Sequence, residues 1–135
     1  MKVAISQESP KSQTAAGFRR LKGWQPLGAL VTMLPPSARP RLPLDPDTLE
    51  QITLEFDYGA DPDAFEESKR ALNASLLSEN RYSLRIANGR TTTYVSVLTL
   101  SGKLVLGMGR NDLRYVSTLV IAGPPVVVNS ERMLP

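Results

Sequence analysis

A chain of 135 residues, 41% of them apolar and with a net charge of +3, is long enough for one domain with a single core. The chain contains no His and no Cys, which excludes a Ser-His-Asp triad, a thiol nucleophile, disulfides and thiolate metal sites. No run of eighteen apolar residues occurs, and the apolar run after Lys2 is three residues long. We therefore expect synthesis in the cytoplasm, with neither a membrane span nor a signal peptide.

Charge is strongly segregated along the chain. Residues 45–67 hold nine acidic residues and no basic one, so the other residues carry all sixteen Lys and Arg against four acids. Two patches of opposite sign suit head-to-tail self-association, in which unlike surfaces meet. The alternative is that both patches are ordinary solvated surface.

Residues 1–46 contain a flexible segment, a short apolar strand and a proline-rich loop. Residues 1–22 lack a clean hydrophobic period and predict a flexible N-terminal arm, so residues 23–135 are expected to form a single β-rich domain. The apolar run of residues 27–33 suits a buried strand. Residues 34–46 predict an extended loop, because proline fixes φ and removes the amide donor. The prolines of this loop are Pro35, Pro36, Pro40, Pro43 and Pro46.

A strand and a helix follow. Apolar and polar residues alternate over residues 50–57, with Ile52, Leu54 and Phe56 on one face, which predicts a strand with one buried side. Asp61 is a good N-cap, because Pro62 can occupy the first helical position and acidic residues follow near the positive end of the dipole. The sequence predicts one α-helix over about 61–76.

The dipeptide Asn88-Gly89 lies between two alternating runs and predicts a hairpin. A two-residue turn there would pair Ile86 with Thr91, Leu84 with Thr93 and Tyr82 with Val95, with Val97 on the same buried face. Ser83 and Arg85 would then lie on the opposite, polar face. Leu84→Asp should therefore abolish folding, and Ser83→Asp should be tolerated unless that face is an interface. Two further strands are expected near 103–108 and 113–122, the second ending at Gly123-Pro124-Pro125.

The chain offers little chemistry for catalysis or for cofactors. Asp57, Asp61 and Asp63 superficially resemble a calcium loop but lack its glycine and terminal glutamate, and helix capping explains them. We therefore expect no enzyme activity, no metal and no cofactor.

The basic residues most suggestive of a binding surface are Arg81, Arg85 and Arg90. They could form a solvated sheet face, contact the acidic segment of a neighbouring subunit, or bind nucleic-acid phosphates.

The order of these elements resembles the tail tube proteins of long-tailed bacteriophages of the lambda type. The resemblance covers residues 52–128. It consists of the strand Ile52-Thr53-Leu54-Glu55-Phe56, the Pro62 helix, the strand Arg81-Tyr82-Ser83-Leu84-Arg85-Ile86, the Asn88-Gly89 turn and a last strand that runs into Gly123-Pro124-Pro125. The ordered combination carries the resemblance, since no single motif is diagnostic.

The resemblance implies a β-sandwich or small barrel with one flanking helix. It also implies a structural virion protein, assembled in the host cytoplasm, whose hexameric rings stack head to tail into the tube through which the genome passes. Its partners would be further copies of itself, other tail proteins and DNA passing without sequence-specific binding. By position, residues 1–22 and the loop over 34–46, with Pro35, Pro36 and Pro40, would contact neighbouring rings. From their charge, Arg81, Arg85 and Arg90 are expected at a contact between subunits. Alternatives are a tail terminator or head-tail connector ring, and a basic β-module that binds nucleic acid.

Overall fold

The computed structural model describes residues 2–8, 12–34, 51–78, 81–108 and 112–129. These ranges are mainly β, as the sequence predicts, with eight antiparallel strands and two helices. The strands are β1 (Lys2–Ser6), β2 (Gln25–Leu27), β3 (Leu30–Leu34), β4 (Gln51–Asp57), β5 (Tyr82–Asn88), β6 (Thr91–Leu106), β7 (Leu113–Ile121) and β8 (Val126–Asn129); the helices are α1 (Ala15–Arg19) and α2 (Pro62–Leu76).

The eight strands form one strongly curved sheet. Its order is β2-β1-β5-β6-β7-β4-β3, and β8 also pairs with β6. Strands β2 and β3 lie at opposite ends of this order, although only Gly28 and Ala29 separate them in the chain. In a flat sheet these end strands would be roughly 29 Å apart, whereas three Cα–Cα steps reach at most about 11 Å. The sheet therefore curls back on itself without closing.

Strand β6 joins the two halves of the sheet. Its first half, up to Val97, pairs with β5, while the part from Val97 to Leu106 pairs with β7. The register shifts between Thr99 and Ser101, where one extra residue forms a bulge. Bulges bend a strand and increase its twist, so this bulge lets one strand serve both halves.

A single hydrophobic core lies inside the curl, and α2 covers its open side. Asp61 caps α2 by accepting a hydrogen bond from the Ala64 amide at 3.1 Å. Phe65 and Leu72 are fully buried, while Leu76 is half-buried. The predicted strand over 50–57 and helix over 61–76 are therefore confirmed. The helix packs against the core contributed by β1, β2, β4, β5, β6 and β7: Val3, Ile5, Leu27, Ile52, Leu54, Phe56, Leu84, Val95, Tyr115, Leu119 and Ile121.

Small polar side chains attach α2 to the sheet. The Ser68 hydroxyl accepts from the Gly28 amide and donates to the Gly28 carbonyl, both at 2.9 Å. A Cβ at Gly28 would lie 2.8 Å from the Cβ of Ala64, so glycine is needed for this close approach. The prediction of one continuous strand over residues 27–33 is wrong, because Gly28 and a left-handed Ala29 (φ 61°) divide this segment between β2 and β3.

The hairpin between β5 and β6 has the predicted faces but not the predicted register. Asn88 pairs with Thr91, so Gly89 and Arg90 form the turn, and the pairs are Ile86 with Thr93, Leu84 with Val95 and Tyr82 with Val97. Gly89 has a positive φ and Arg90 does not, which indicates a type II′ turn instead of a type I′ turn at Asn88-Gly89. The register is therefore displaced by two residues. Because a shift of two preserves the side-chain alternation, the buried face is confirmed.

The N-terminal segment is part of the fold. We predicted residues 1–22 as a flexible arm, but β1 within that range inserts between β2 and β5. Val3 and Ile5 join the core, and Phe18 of α1 is fully buried on the other face of the sheet. The prediction failed because β1 has only five residues and residues 7–14 after it contain no large apolar side chain, so no hydrophobic period is visible.

Three further predictions need comment. The strand expected near 103–108 is the end of β6, whereas the strand expected over 113–122 is confirmed as β7. The proline-rich loop over 34–46, with Pro35, Pro36 and Pro40, lies beyond Leu34 and outside the described residues. Within the described ranges, neither helix is long and apolar enough to cross a membrane.

Candidate assembly surfaces

The three predicted interface arginines are not brought together. Arg81 is exposed just before β5, Arg85 lies half-buried in the middle of β5, and Arg90 lies in the turn after it. The seven residues of β5 span roughly 23 Å, so Arg81 and Arg90 are at opposite ends of that strand. Of the three, Arg85 alone lies within β5, and it projects from the outer face of the sheet, the face opposite the hydrophobic core.

Aromatic side chains hold Arg85 in place. Its guanidinium lies 4.7 Å from the centre of the Trp24 ring, a cation–π contact. Trp24 in turn contacts Tyr94 at 6.0 Å between ring centres, and Tyr94 stacks on Phe18 at 5.3 Å. The Tyr94 ring is therefore buried between other aromatic side chains of the chain and is not open for stacking on a nucleotide base.

Beside Arg85 the outer face forms a groove, which we name the β1–β5 groove. The side chains at its floor are small: Ala4 lies opposite Arg85, and Ala87 lies opposite Lys2 in the β1–β5 pairing. The groove has a volume of ≈ 370 Å³, enough for side chains and not merely for one water of about 30 Å³. Its principal lining residues are Lys2, Ala4, Pro26, Arg85, Ala87 and Tyr94. Two cations thus flank a shallow floor of methyl groups.

The described acidic residues cluster around the β4–α2 connection. Asp57 accepts from the Gly59 amide at 3.0 Å, and Asp61 is the helix cap, so both have structural roles. Within the described ranges, no three acidic side chains converge on a point where they could hold a metal ion. Two more acids pair with bases within the chain: Glu66 with Lys69 at 3.1 Å and Glu55 with Arg114 at 3.6 Å.

Two acids of α2 remain turned to solvent. Asp63 and Glu67 are both exposed and lie four residues apart, so they share one face of the helix. This face points away from the core side of α2, which carries Phe65, Ser68 and Leu72. The exposed carboxylates form a small negative surface one helical turn long, which ends at Arg70, an exposed cation three residues after Glu67.

The second half of β6 carries five of the nine large apolar side chains that are exposed among the described residues. We name Leu98–Leu106 the β6 extension. It pairs with β7 along one edge, and no described strand pairs with its other edge, since β5 begins opposite Val97. Apolar side chains of this extension are exposed on both faces: Leu98 at 37%, Leu100 at 55%, Leu104 at 53%, Val105 at 40% and Leu106 at 81%.

The other strands at sheet edges differ from the β6 extension. Strand β2 is three residues long and contains Pro26, which lacks an amide donor. Strands β3 and β8 are also apolar edges, but they are only five and four residues long. The β6 extension has nine residues, no proline and one charge, Lys103. Long, apolar, unpaired edges are sites of strand-to-strand association, so the β6 extension is the strongest candidate contact surface.

Tyr115 fastens the β6–β7 hairpin to α2. Its hydroxyl donates to Asn73 Oδ1 at 2.6 Å, and only 2% of the residue is exposed. Burial raises the pKa of the Tyr115 hydroxyl above its usual value of 10.0, because the phenolate would lose its hydration.

We expect Tyr115 to make stability fall at alkaline pH. The unfolded chain releases this proton from pH 10 upwards while the folded chain retains it, so the free energy of unfolding decreases as pH rises towards the folded pKa. For a single group the slope is at most about 1.4 kcal/mol per pH unit. Tyr115→Phe should cost about 1 kcal/mol at pH 7 through the lost hydrogen bond. Urea unfolding from pH 8 to 11 should show a shallower decline for Tyr115→Phe, and identical declines would contradict this assignment.

Sequence reasoning found Arg85 but missed the surfaces around it. Lys2 lies in a segment predicted as flexible, and Trp24 gave no periodic signal. The β6 extension carried a signal that could have been used. Its apolar residues Leu98, Leu100, Leu104, Val105 and Leu106 occur at both even and odd positions, which is inconsistent with one solvated face.

No protein-family model matches the sequence, and no curated protein matches it.

Proposed function

We propose that the chain is a structural subunit that assembles into rings, and that these rings stack head to tail into a bacteriophage tail tube. The β6 extension is the observation that carries the proposal. One edge of its backbone is unpaired among the described strands and its leucines are exposed, and a second copy of the same chain can cover both. In the proposed assembly the subunits are arranged as hexamers, as in the tail tube family, and the sheet completes a small barrel or sandwich across subunits.

The free energies of burial and association favour a contact that uses both the side chains and the backbone of the β6 extension. Fully burying a Leu or Val contributes about 1.5–3 kcal/mol, so covering the exposed parts of these five side chains contributes on the order of 5 kcal/mol. Association costs roughly 4–15 kcal/mol in lost motional freedom. The apolar term alone only approaches that cost, whereas strand pairing along the free edge adds backbone hydrogen bonds. A strand-paired, multivalent ring is therefore favoured over a simple apolar patch contact.

The proposed role is mechanical, with no catalytic step and no cofactor. Partners are other copies of the chain, other tail proteins and DNA that passes without sequence-specific contacts. The proposed location is the virion tail after assembly in the host cytoplasm. The proposed interface between rings includes Pro35, Pro36 and Pro40. A tail terminator or head-tail connector ring is the alternative within this class, and it differs in forming rings that do not stack.

Binding of nucleic acid as the main function is less well supported. A phosphate-binding surface requires basic residues gathered on one face, and Arg81, Arg85 and Arg90 are distributed along the whole of β5. Single-strand binding also uses open aromatic faces, whereas Tyr94 is stacked on Phe18.

Charged substitutions in the β6 extension test the proposal. We expect Leu104→Glu combined with Leu106→Glu to leave folding intact, since both side chains are largely exposed, and to weaken association at least 100-fold. Sedimentation velocity over a range of concentrations would measure the change. Leu77→Glu is the matched control, because Leu77 is 86% exposed but lies at the end of α2. Equal association of the two variants would exclude the extension as the contact.

A further inference from the structure

The β1–β5 groove and the exposed face of α2 have complementary charge and complementary spacing. Lys2 lies opposite Ala87, and Arg85 lies opposite Ala4, so the two cations are diagonal neighbours on adjacent strands. Diagonal neighbours in an antiparallel pair are separated by about 7–8 Å. Asp63 and Glu67, one helical turn apart, are separated by about 6 Å between their Cβ atoms. Two carboxylates on one helix face can therefore reach both cations at once.

We propose that the β1–β5 groove of one subunit binds the Asp63–Glu67 face of α2 from a second copy of the chain. This inference rests on the proposed self-assembly and names one of its contacts. Each chain carries both halves of the contact but cannot join them within itself. Helix α2 packs on the core side of the sheet through Phe65 and Leu72, whereas Arg85 projects from the outer side, so the sheet separates them.

The local structure favours a carboxylate ligand carried by a protein. Trp24 fixes the Arg85 guanidinium before binding, which lowers the ordering cost of the contact. The floor of the groove consists of Ala4 and Ala87, so a helix can approach the sheet closely. Because the groove and the helix face are different surfaces, the contact is heterologous. Heterologous contacts close into rings or continue as stacks, as the proposed assembly requires.

Charge reversal in both partners tests the contact. Lys2→Glu and Glu67→Lys change exposed side chains, so each variant should fold. We expect each single reversal to raise the concentration at which half of the protein is assembled at least ten-fold, measured by sedimentation velocity at 50 mM salt. The double variant, with both reversals in one chain, should return to within about three-fold of the wild type. Arg81→Glu is the matched control, because it makes the same charge change at an exposed residue just before β5 and outside the groove.

The possible outcomes separate this inference from the proposed function. A wild-type chain that stays monomeric at all concentrations would overturn both. A wild type that assembles, with single reversals no weaker than Arg81→Glu or a double variant that does not recover, would overturn only this contact. Binding of a fluorescent 20-nucleotide single-stranded DNA that Lys2→Glu and Arg85→Gln abolish, with assembly unaffected, would assign the groove to nucleic acid and would also overturn it.

Discussion

Leu84→Asp is expected to prevent folding. Leu84 is completely buried in the middle of β5 and lies opposite Val95, which is also completely buried. Removing the leucine side chain costs about 2–5 kcal/mol, and an unpaired carboxylate in the core adds several kcal/mol whether it remains charged or takes up a proton. The total approaches the 5–15 kcal/mol that stabilises a typical domain. Circular dichroism and soluble yield would measure the loss.

Ser83→Asp gives a graded comparison on the same strand. The sequence predicted that this change would be tolerated, but Ser83 is fully buried, and its hydroxyl donates to the Glu8 carbonyl at 3.4 Å. An aspartate there would place a carboxylate against a carbonyl oxygen, so we expect a loss of about 2–4 kcal/mol in a chain that still folds. Asn88→Asp, exposed at the end of β5, is the control and should change stability by about 0.5 kcal/mol or less. A folded Leu84→Asp variant with wild-type stability would contradict the placement of Leu84 on the core face.

Gly102→Val is expected to have the second largest effect. Gly102 lies across from Ser117 on the core side of β6, and any Cβ there would overlap the hydroxyl of Tyr115. Tyr115 cannot move aside without losing its hydrogen bond to Asn73 and its packing under α2. Overpacking of this kind costs about 1–3 kcal/mol, and the lost hydrogen bond adds about 1 kcal/mol.

Thermal unfolding of Gly102→Val beside Ser101→Val would isolate this steric effect. Ser101 is the exposed neighbour on the same strand, where a β-branched residue is tolerated. If the two variants unfold at the same temperature, the close packing of Tyr115 over Gly102 is wrong. Gly102→Ala combined with Tyr115→Phe should cost less than the two single changes added together, because the phenyl ring lacks the overlapping oxygen.

Local sequence signals were sufficient where a single physical rule dominates. Strand β4 was predicted because it alternates strictly, and α2 because Asp61 and Pro62 define its first turn. The faces of the β5–β6 hairpin followed from alternation alone. Its register did not, since Asn88-Gly89 and Gly89-Arg90 are both compatible with a two-residue turn, and the sequence does not distinguish the φ angles required.

Features that depend on contacts between residues far apart in the chain could not be predicted from the sequence. Strand β1 is stabilised by β5, more than seventy-five residues away in the chain, so its own five residues gave no reliable signal. The curl of the sheet depends on Gly28, which allows α2 to approach the link between β2 and β3. Of the candidate site, Arg85 was identified, but Lys2 depends on the placement of β1 and therefore could not be assigned.

Self-assembly is tested most directly by the mass and shape of the unmodified chain in concentrated solution. Static light scattering after size-exclusion chromatography would give the mass, and negative-stain electron microscopy of the same fraction would give the shape. We expect particles of several subunits, seen as rings with a central hole or as stacks of rings. A single species at the mass of one 14.8 kDa chain, unchanged up to millimolar concentration, would contradict it.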